Sequence, residues 1–173
     1  MSESASKSPV DVWNLAWARR NPLRMAGIVL HLLFRTLFAV FWTTAGFNKI
    51  SKDWLSSDIL RDIFLDRLTE MPPDSFAVMY LQNFAIPLAK LVAWVVTFGE
   101  LYSGIGLLLG LTTRWAAAVS LFILFNLAIG GYYDASLLPF FILNFIFLRW
   151  NSGQWFGLDR YLSHRYPHSR WFS

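Results

Sequence analysis

The chain has 173 residues, of which 55% are hydrophobic, 18% aromatic and 15% charged. Soluble domains of this size carry about a quarter charged residues, and here the charges are clustered, which leaves long stretches almost uncharged. There is no cysteine, which excludes disulfides, thiolate metal sites and dithiol chemistry, including that of thiol-oxidising membrane enzymes with a similar bundle. The net charge of +4 indicates membrane topology and anionic lipid rather than nucleic acid.

Residues 1–24 form a polar lead before the first apolar run. Trp13 and Trp17, followed by Arg19 and Arg20, predict a short interfacial helix, with tryptophan at headgroup depth and arginine beside phosphates. A disordered tail is the alternative. We do not expect a cleavable signal, because the following apolar run is too long and has no small-residue cleavage site.

Four apolar segments predict an all-α, four-helix transmembrane bundle over residues 25–150, since a span needs about 20 mostly apolar residues. The predicted spans are Met25 to Ile50, Pro87 to Leu111, Arg114 to Gly130 and Ser136 to Trp150. The link between the second and third spans is only a few residues long, which makes them antiparallel neighbours.

A small helical insertion, residues 51–86, separates the first two spans. Apolar residues at helical spacing, from Leu55 to Leu68, predict a helix that ends at the Pro72-Pro73 pair. A second short helix, about 75 to 84, follows it. One face of the first helix carries an acidic stripe, which is either a solvated face or a docking surface for a partner; the stripe consists of Asp58, Asp62, Asp66 and Glu70.

The distribution of lysine and arginine predicts the orientation of the chain. Nine of them fall on the side of the lead and of the basic tail, residues 151–173, and five fall on the side of the insertion. By the positive-inside rule, both termini are cytoplasmic and the insertion lies outside. We therefore expect a multi-pass protein of the cell membrane.

Two charges within the predicted spans are the strongest sign of a functional site, because ionisable groups in lipid are costly. Arg35 lies about 15 Å from the start of its span and Glu100 about 16 Å from the end of the next, at the helical rise. Matching depth predicts that the two side chains pair. The pair is either structural or part of a polar pocket that binds a quinone head or relays a proton.

Other polar residues within the spans extend this candidate pocket. Asn126 and Asn144 are predicted to hydrogen-bond across helices or to Glu100. His31 could ligate haem, but no second ligand is evident, and a hydrogen-bonded packing role is favoured. No zinc-ligand spacing occurs in the sequence, so no metal site is expected. The sequence also has no nucleotide-binding loop and no nucleophile elbow.

A stripe of small residues in the second span favours close helix packing, with a groove for an isoprenoid tail as the alternative. The stripe comprises Gly99, Ser103, Gly106 and Gly110.

Three segments together resemble the DoxX/DoxD family of small membrane proteins. They are the helix end Phe41 to Ile50, the run Gly99 to Arg114, and Gly157-Leu158-Asp159-Arg160. The resemblance covers about residues 27–160, with the insertion least alike. By position, the residues that match the family pattern are Lys49, Glu100, Arg114 and Asp159, together with Arg35.

The resemblance implies a four-helix membrane fold and an accessory role in a thiosulfate:quinone oxidoreductase or another membrane redox assembly. The expected function is therefore a membrane subunit of a quinone-linked oxidoreductase that anchors a partner and shapes a quinone or lipid site. No stand-alone catalytic activity is expected, and no catalytic set is carried over. The alternative is a purely structural or assembly subunit. A small-molecule carrier is disfavoured because broken-helix repeats are lacking.

Overall fold

The computed structural model describes residues 13–172, and within them every regular element is a helix. The lead before Trp13, including Val12, lies outside the described residues. The helices are α1 (Leu15–Arg20), α2 (Pro22–Ser51), α3 (Ile59–Thr69), α4 (Phe76–Tyr80), α5 (Ala89–Leu109), α6 (Thr113–Ile129), α7 (Leu137–Arg149) and α8 (Leu158–Arg165). A π-helical turn, Leu81–Ala85, continues α4. The all-α prediction is confirmed.

The four long apolar helices begin and end close to their predicted limits. In the insertion, α3 and α4 also lie where the apolar spacing and the Pro72-Pro73 pair predicted them. The short helix predicted in the lead is α1, which Asn14 caps by accepting hydrogen bonds from two backbone N–H groups. Local sequence signals were sufficient here, because apolar periodicity and capping residues act over a single helix.

Two helices, α2 and α5, are long and apolar enough to cross a membrane, with 30 and 21 residues. The other two bundle helices are shorter, at 17 residues for α6 and 13 for α7. At the helical rise α7 is about 20 Å long, which is less than the roughly 30 Å hydrocarbon core of a bilayer. Crossing by all four helices therefore stays a prediction, as does the orientation of the termini.

Close packing of α2 against α5 sets the register of the bundle. A side chain at Gly104 would place its Cβ 2.5 Å from the backbone nitrogen of Thr43, and one at Gly46 would place it 2.7 Å from the Leu101 side chain. The two helices run antiparallel, so these contacts put residue 43 level with 104 and residue 46 level with 101. The core continues between α2, α6 and α7 around Phe147.

The bundle has two chemically different ends. At the first, which we call the basic end, lie α1, the start of α2, the α5–α6 turn and residues 150–172. Trp13 donates its indole N–H to the carbonyl oxygen of Trp155 at 2.7 Å, which brings the two terminal segments together. At the second, which we call the insertion end, α3 and α4 cover the bundle. The candidate site lies toward the insertion end.

Candidate functional site

A buried ion pair joins the two longest helices. Lys49 Nζ lies 2.7 Å and 2.8 Å from the two carboxylate oxygens of Glu100. The Glu100 side chain is 5% exposed and that of Lys49 is 16% exposed. Lys49 also lies over the ring of Trp54, 4.9 Å from its centroid. One ammonium thus neutralises both oxygens of a carboxylate that would otherwise be costly inside the bundle.

The predicted pairing of Arg35 with Glu100 is wrong. Arg35 donates to the carbonyl oxygen of Phe156 at 2.7 Å and to the hydroxyl of Ser152 at 3.4 Å, at the basic end. The depth comparison failed because α2 begins well beyond the end of α5, so the two helix ends do not mark one plane. Arg35 lies beside Gly110, at the end of α5, and about 21 Å along α2 from Lys49.

Asn126 lies in the same region of the bundle as Glu100 and pairs with Tyr80, a residue of the insertion. The Tyr80 hydroxyl donates to Asn126 Oδ1 at 2.8 Å, and the Asn126 amide donates to the carbonyl oxygen of Phe122. Burial raises the pKa of Tyr80, which keeps the phenol protonated and therefore a donor. The predicted bond across helices is confirmed, and it fastens α4 to α6.

The Lys49–Glu100 pair and the Tyr80–Asn126 pair face one cavity of about 540 Å³. Its wall is mostly apolar and comes from α2, α3, α4, the π-helical turn, α5, α6 and α7. Trp42 also lines the cavity, and its buried indole N–H has no acceptor among residues 13–172. A cavity of this size with a few convergent polar groups is typical of a site for a small, largely apolar molecule.

Two other residues singled out in the sequence lie away from this cavity. Asn144 is fully buried and pairs with the Ser120 hydroxyl on α6, which confirms a bond across helices but not one to Glu100. His31 stacks edge-on against Phe147 and Trp155, and its Nε2 is buried without a hydrogen-bond partner among the described residues. His31 thus has the predicted packing role, between aromatic rings, but without the hydrogen bond that was predicted for it.

The small-residue stripe of α5 is a packing surface. Gly99 faces Val119 and Ile123, and Gly106 faces Ala116. A Cβ added at Gly99 would lie 3.0 Å from the Ile123 side chain, and one at Gly106 would lie 2.9 Å from the Ala116 Cβ. This arrangement confirms the close-packing interpretation, and it leaves no groove for an isoprenoid tail between α5 and α6.

A second polar cluster, around the fully buried Asp159, holds the α5–α6 turn against the segment that follows α7. Its carboxylate accepts from the backbone N–H of Thr112 at 2.6 Å and of Thr113 at 2.9 Å, and so caps the start of α6. Negative charge at a helix N-terminus is stabilising. Gly157 permits the approach, because a Cβ there would lie 2.6 Å from Gly110 Cα.

Sequence reasoning missed the residues that complete both clusters. Lys49 and Asp159 were noted for their position in the family pattern, but not as partners of Glu100 and of the α6 N-terminus. Tyr80 was not noted at all. The close approach of Gly104 to Thr43 is the feature that fixes the α2–α5 register, and with it the neighbour of Glu100. No local pattern indicates that α4 folds back onto α6.

The outer faces of the long helices are apolar and exposed. Large apolar side chains there are half exposed or more, such as Leu33, Leu37 and Val40 on α2 and Leu91 on α5. Contiguous exposed apolar surface of this kind suits a bilayer rather than water. The fold and its buried ion pair thus define an α-helical membrane protein.

The chain belongs to the DoxX family, which its sequence matches over residues 30–131, more than half of its length. This is a membrane-associated family, and the match confirms the resemblance found in the sequence. The matched region contains both members of the Lys49–Glu100 pair. No curated protein and no solved structure matches the chain.

Proposed function

We propose that this protein is an accessory membrane subunit of a quinone-linked oxidoreductase, and that its central cavity holds the head of a quinone. The observation that carries the proposal is the composition of the cavity. It combines an apolar wall, a buried ion pair and an indole N–H without an acceptor.

The hydrogen-bond inventory of the cavity suits a quinone. An ammonium has three N–H donors, and two of those on Lys49 are directed at Glu100. The third donor and the indole N–H of Trp42 are available for the two carbonyl oxygens of a quinone. The aromatic residues of the wall, including Phe41 and Phe64, supply the flat apolar contacts that a quinone ring prefers.

The ion pair also suits the protons of quinone reduction. A quinone that becomes a quinol takes up two electrons and two protons. The Lys49 ammonium can give one proton to a carbonyl oxygen, whereas the Glu100 carboxylate has none to give until it takes one up. The second proton and the reprotonation of Lys49 would come from water, and a redox partner would supply the electrons. Dependence on such a partner is the reason for proposing an accessory subunit rather than a separate enzyme.

The acidic stripe of α3 is the proposed contact with that partner on the insertion side. Asp58, Asp62 and Asp66 are exposed, whereas Glu70 pairs with Arg67 at 2.6 Å. Exposed charge of one sign favours encounter with a basic surface and makes association sensitive to salt.

The proposal is tested by purification from native membranes in mild detergent, followed by extraction of quinone and identification of co-purifying polypeptides. We expect about one quinone per chain and at least one redox protein. Ala45→Phe, which fills the cavity, should remove the quinone and keep the protein partner. Thr44→Phe, at the exposed neighbouring position on α2, is the control and should keep both.

Two results would contradict the proposal. Recovery of partner polypeptides without quinone would favour the purely structural or assembly subunit. Equal quinone content in Ala45→Phe and wild type would place any bound quinone outside this cavity.

A further inference from the structure

We infer that the basic end carries a binding site for one anionic phospholipid, in a groove between α2 and α7 that is separate from the central cavity. The groove has a volume of about 630 Å³ and opens beside the exposed surface of α2. Trp17 and Arg24 line its outer part, and Leu30, Phe34, Leu143 and Ile146 line its inner part.

The groove changes from charged to apolar along one face of α2. Arg24, Gly27, His31 and Phe34 recur at intervals of three and four residues, which places them on one side of the helix. Arg24 lies in the first turn of α2, and Phe34 lies about 15 Å further along at the helical rise. A phospholipid has the same order of chemistry, with an anionic phosphate, then polar ester groups, then an acyl chain.

Charge complementarity identifies the head of the occupant as anionic. Arg19 and Arg20 lie in the last turn of α1, and Arg24 lies in the first turn of the helix that follows it. Within residues 13–172 no carboxylate forms an ion pair with any of the three. Each lysine or arginine near an anionic membrane surface contributes about 1 kcal/mol. Trp17 and Trp150, at the same end of the groove, suit the headgroup region of a bilayer.

His31 supplies the polar group at intermediate depth. Its ring is held between Phe147 and Trp155, with centroid distances of 5.1 Å and 5.0 Å, and its buried Nε2 has no partner among the described residues. A buried polar atom without a hydrogen bond is costly. A lipid ester or glycerol oxygen in the groove would satisfy it.

Gly27 leaves room for the occupant, and its replacement is the most specific test of the groove. A Cβ added there meets no atom within 4 Å, although the residue lines the groove. Gly27→Leu therefore fills space that the protein itself leaves empty. Since glycine within a helix is less favourable than leucine, this variant should fold at least as well as wild type.

The test is native mass spectrometry of the detergent-purified chain with dioleoyl phosphatidylglycerol or dioleoyl phosphatidylcholine, which differ in head charge and share their acyl chains. We expect one phosphatidylglycerol to be retained at least fivefold more strongly than phosphatidylcholine, because a single cation supplies a ratio of about five and three arginines lie at this end. Arg24→Gln removes the cation that lines the groove and should lower that preference about fivefold. Gly27→Leu should weaken retention of both lipids, and His31→Phe, which keeps the aromatic packing, should weaken retention too.

Arg165→Gln, an exposed cation on α8, is the control and should behave as wild type. Equal retention of the two lipids by wild type would overturn the inference, and so would undiminished phosphatidylglycerol retention in Gly27→Leu with unchanged thermal stability. Central-cavity variants such as Ala45→Phe should leave lipid retention unchanged, which separates this site from the proposed quinone site.

Discussion

Replacing either member of the Lys49–Glu100 pair by methionine should lower the stability of the protein by about 3–5 kcal/mol, because the remaining charge is left buried and unpaired. For a chain of this size, that loss corresponds to a fall of about 10 °C in the midpoint of thermal unfolding. The double variant, Lys49→Met with Glu100→Met, buries no charge and should recover most of the loss. Thermal unfolding of the four proteins in one detergent forms the required double-mutant cycle.

The exposed Arg67–Glu70 pair provides a matched control within the same chain. Its side chains are 29% and 61% exposed, and a surface ion pair contributes at most about 1 kcal/mol. Glu70→Met should therefore shift the midpoint by only a few degrees. If Glu100→Met were as harmless as Glu70→Met, the carboxylate would not be buried in the bundle. A double variant as unstable as the singles would show that the two charges do not compensate each other.

Asp159→Ala should destabilise the basic end by about 3 kcal/mol and release the last segment of the chain. The substitution removes both acceptors that cap α6, and loss of a cap costs about 0.5–2 kcal/mol. It also leaves buried N–H groups unsatisfied, at about 1–3 kcal/mol each. Limited proteolysis should then cleave within residues 158–172, which are docked in the native protein through the Asp159–Gly110 backbone contact.

Asp159→Asn should lower stability by an intermediate amount, because its single amide oxygen can replace only one of the two carboxylate oxygens that accept from Thr112 and Thr113. Asp62→Ala, at an exposed position of α3, should change neither thermal stability nor the cleavage pattern. Resistance of the tail to protease in Asp159→Ala would mean that other contacts hold it in place. Such a result would remove the structural role assigned here to the Gly157–Arg160 segment.

The helices could be predicted from the sequence because each depends on its own apolar periodicity and end signals. The site could be predicted only in part. Glu100 and Asn126 were identified as polar residues within the predicted spans, and both face the central cavity. Their partners depend on the register of α2 against α5 and on the folding back of α4, which are tertiary features. The depth predicted for Arg35 was wrong because α2, with 30 residues, extends beyond the end of α5. Counting residues from the start of α2 and from the end of α5 therefore compared positions at different depths.

The most direct test of the central claim is titration of the purified protein with a short-chain quinone, followed by tryptophan fluorescence. Trp42 and Trp54 line the cavity, so a bound quinone should quench their emission strongly. We expect saturable quenching in wild type and in Thr44→Phe, a much smaller saturable component in Trp42→Phe, and none in Ala45→Phe. Non-saturable quenching of equal size in all four proteins would contradict a quinone site in this cavity.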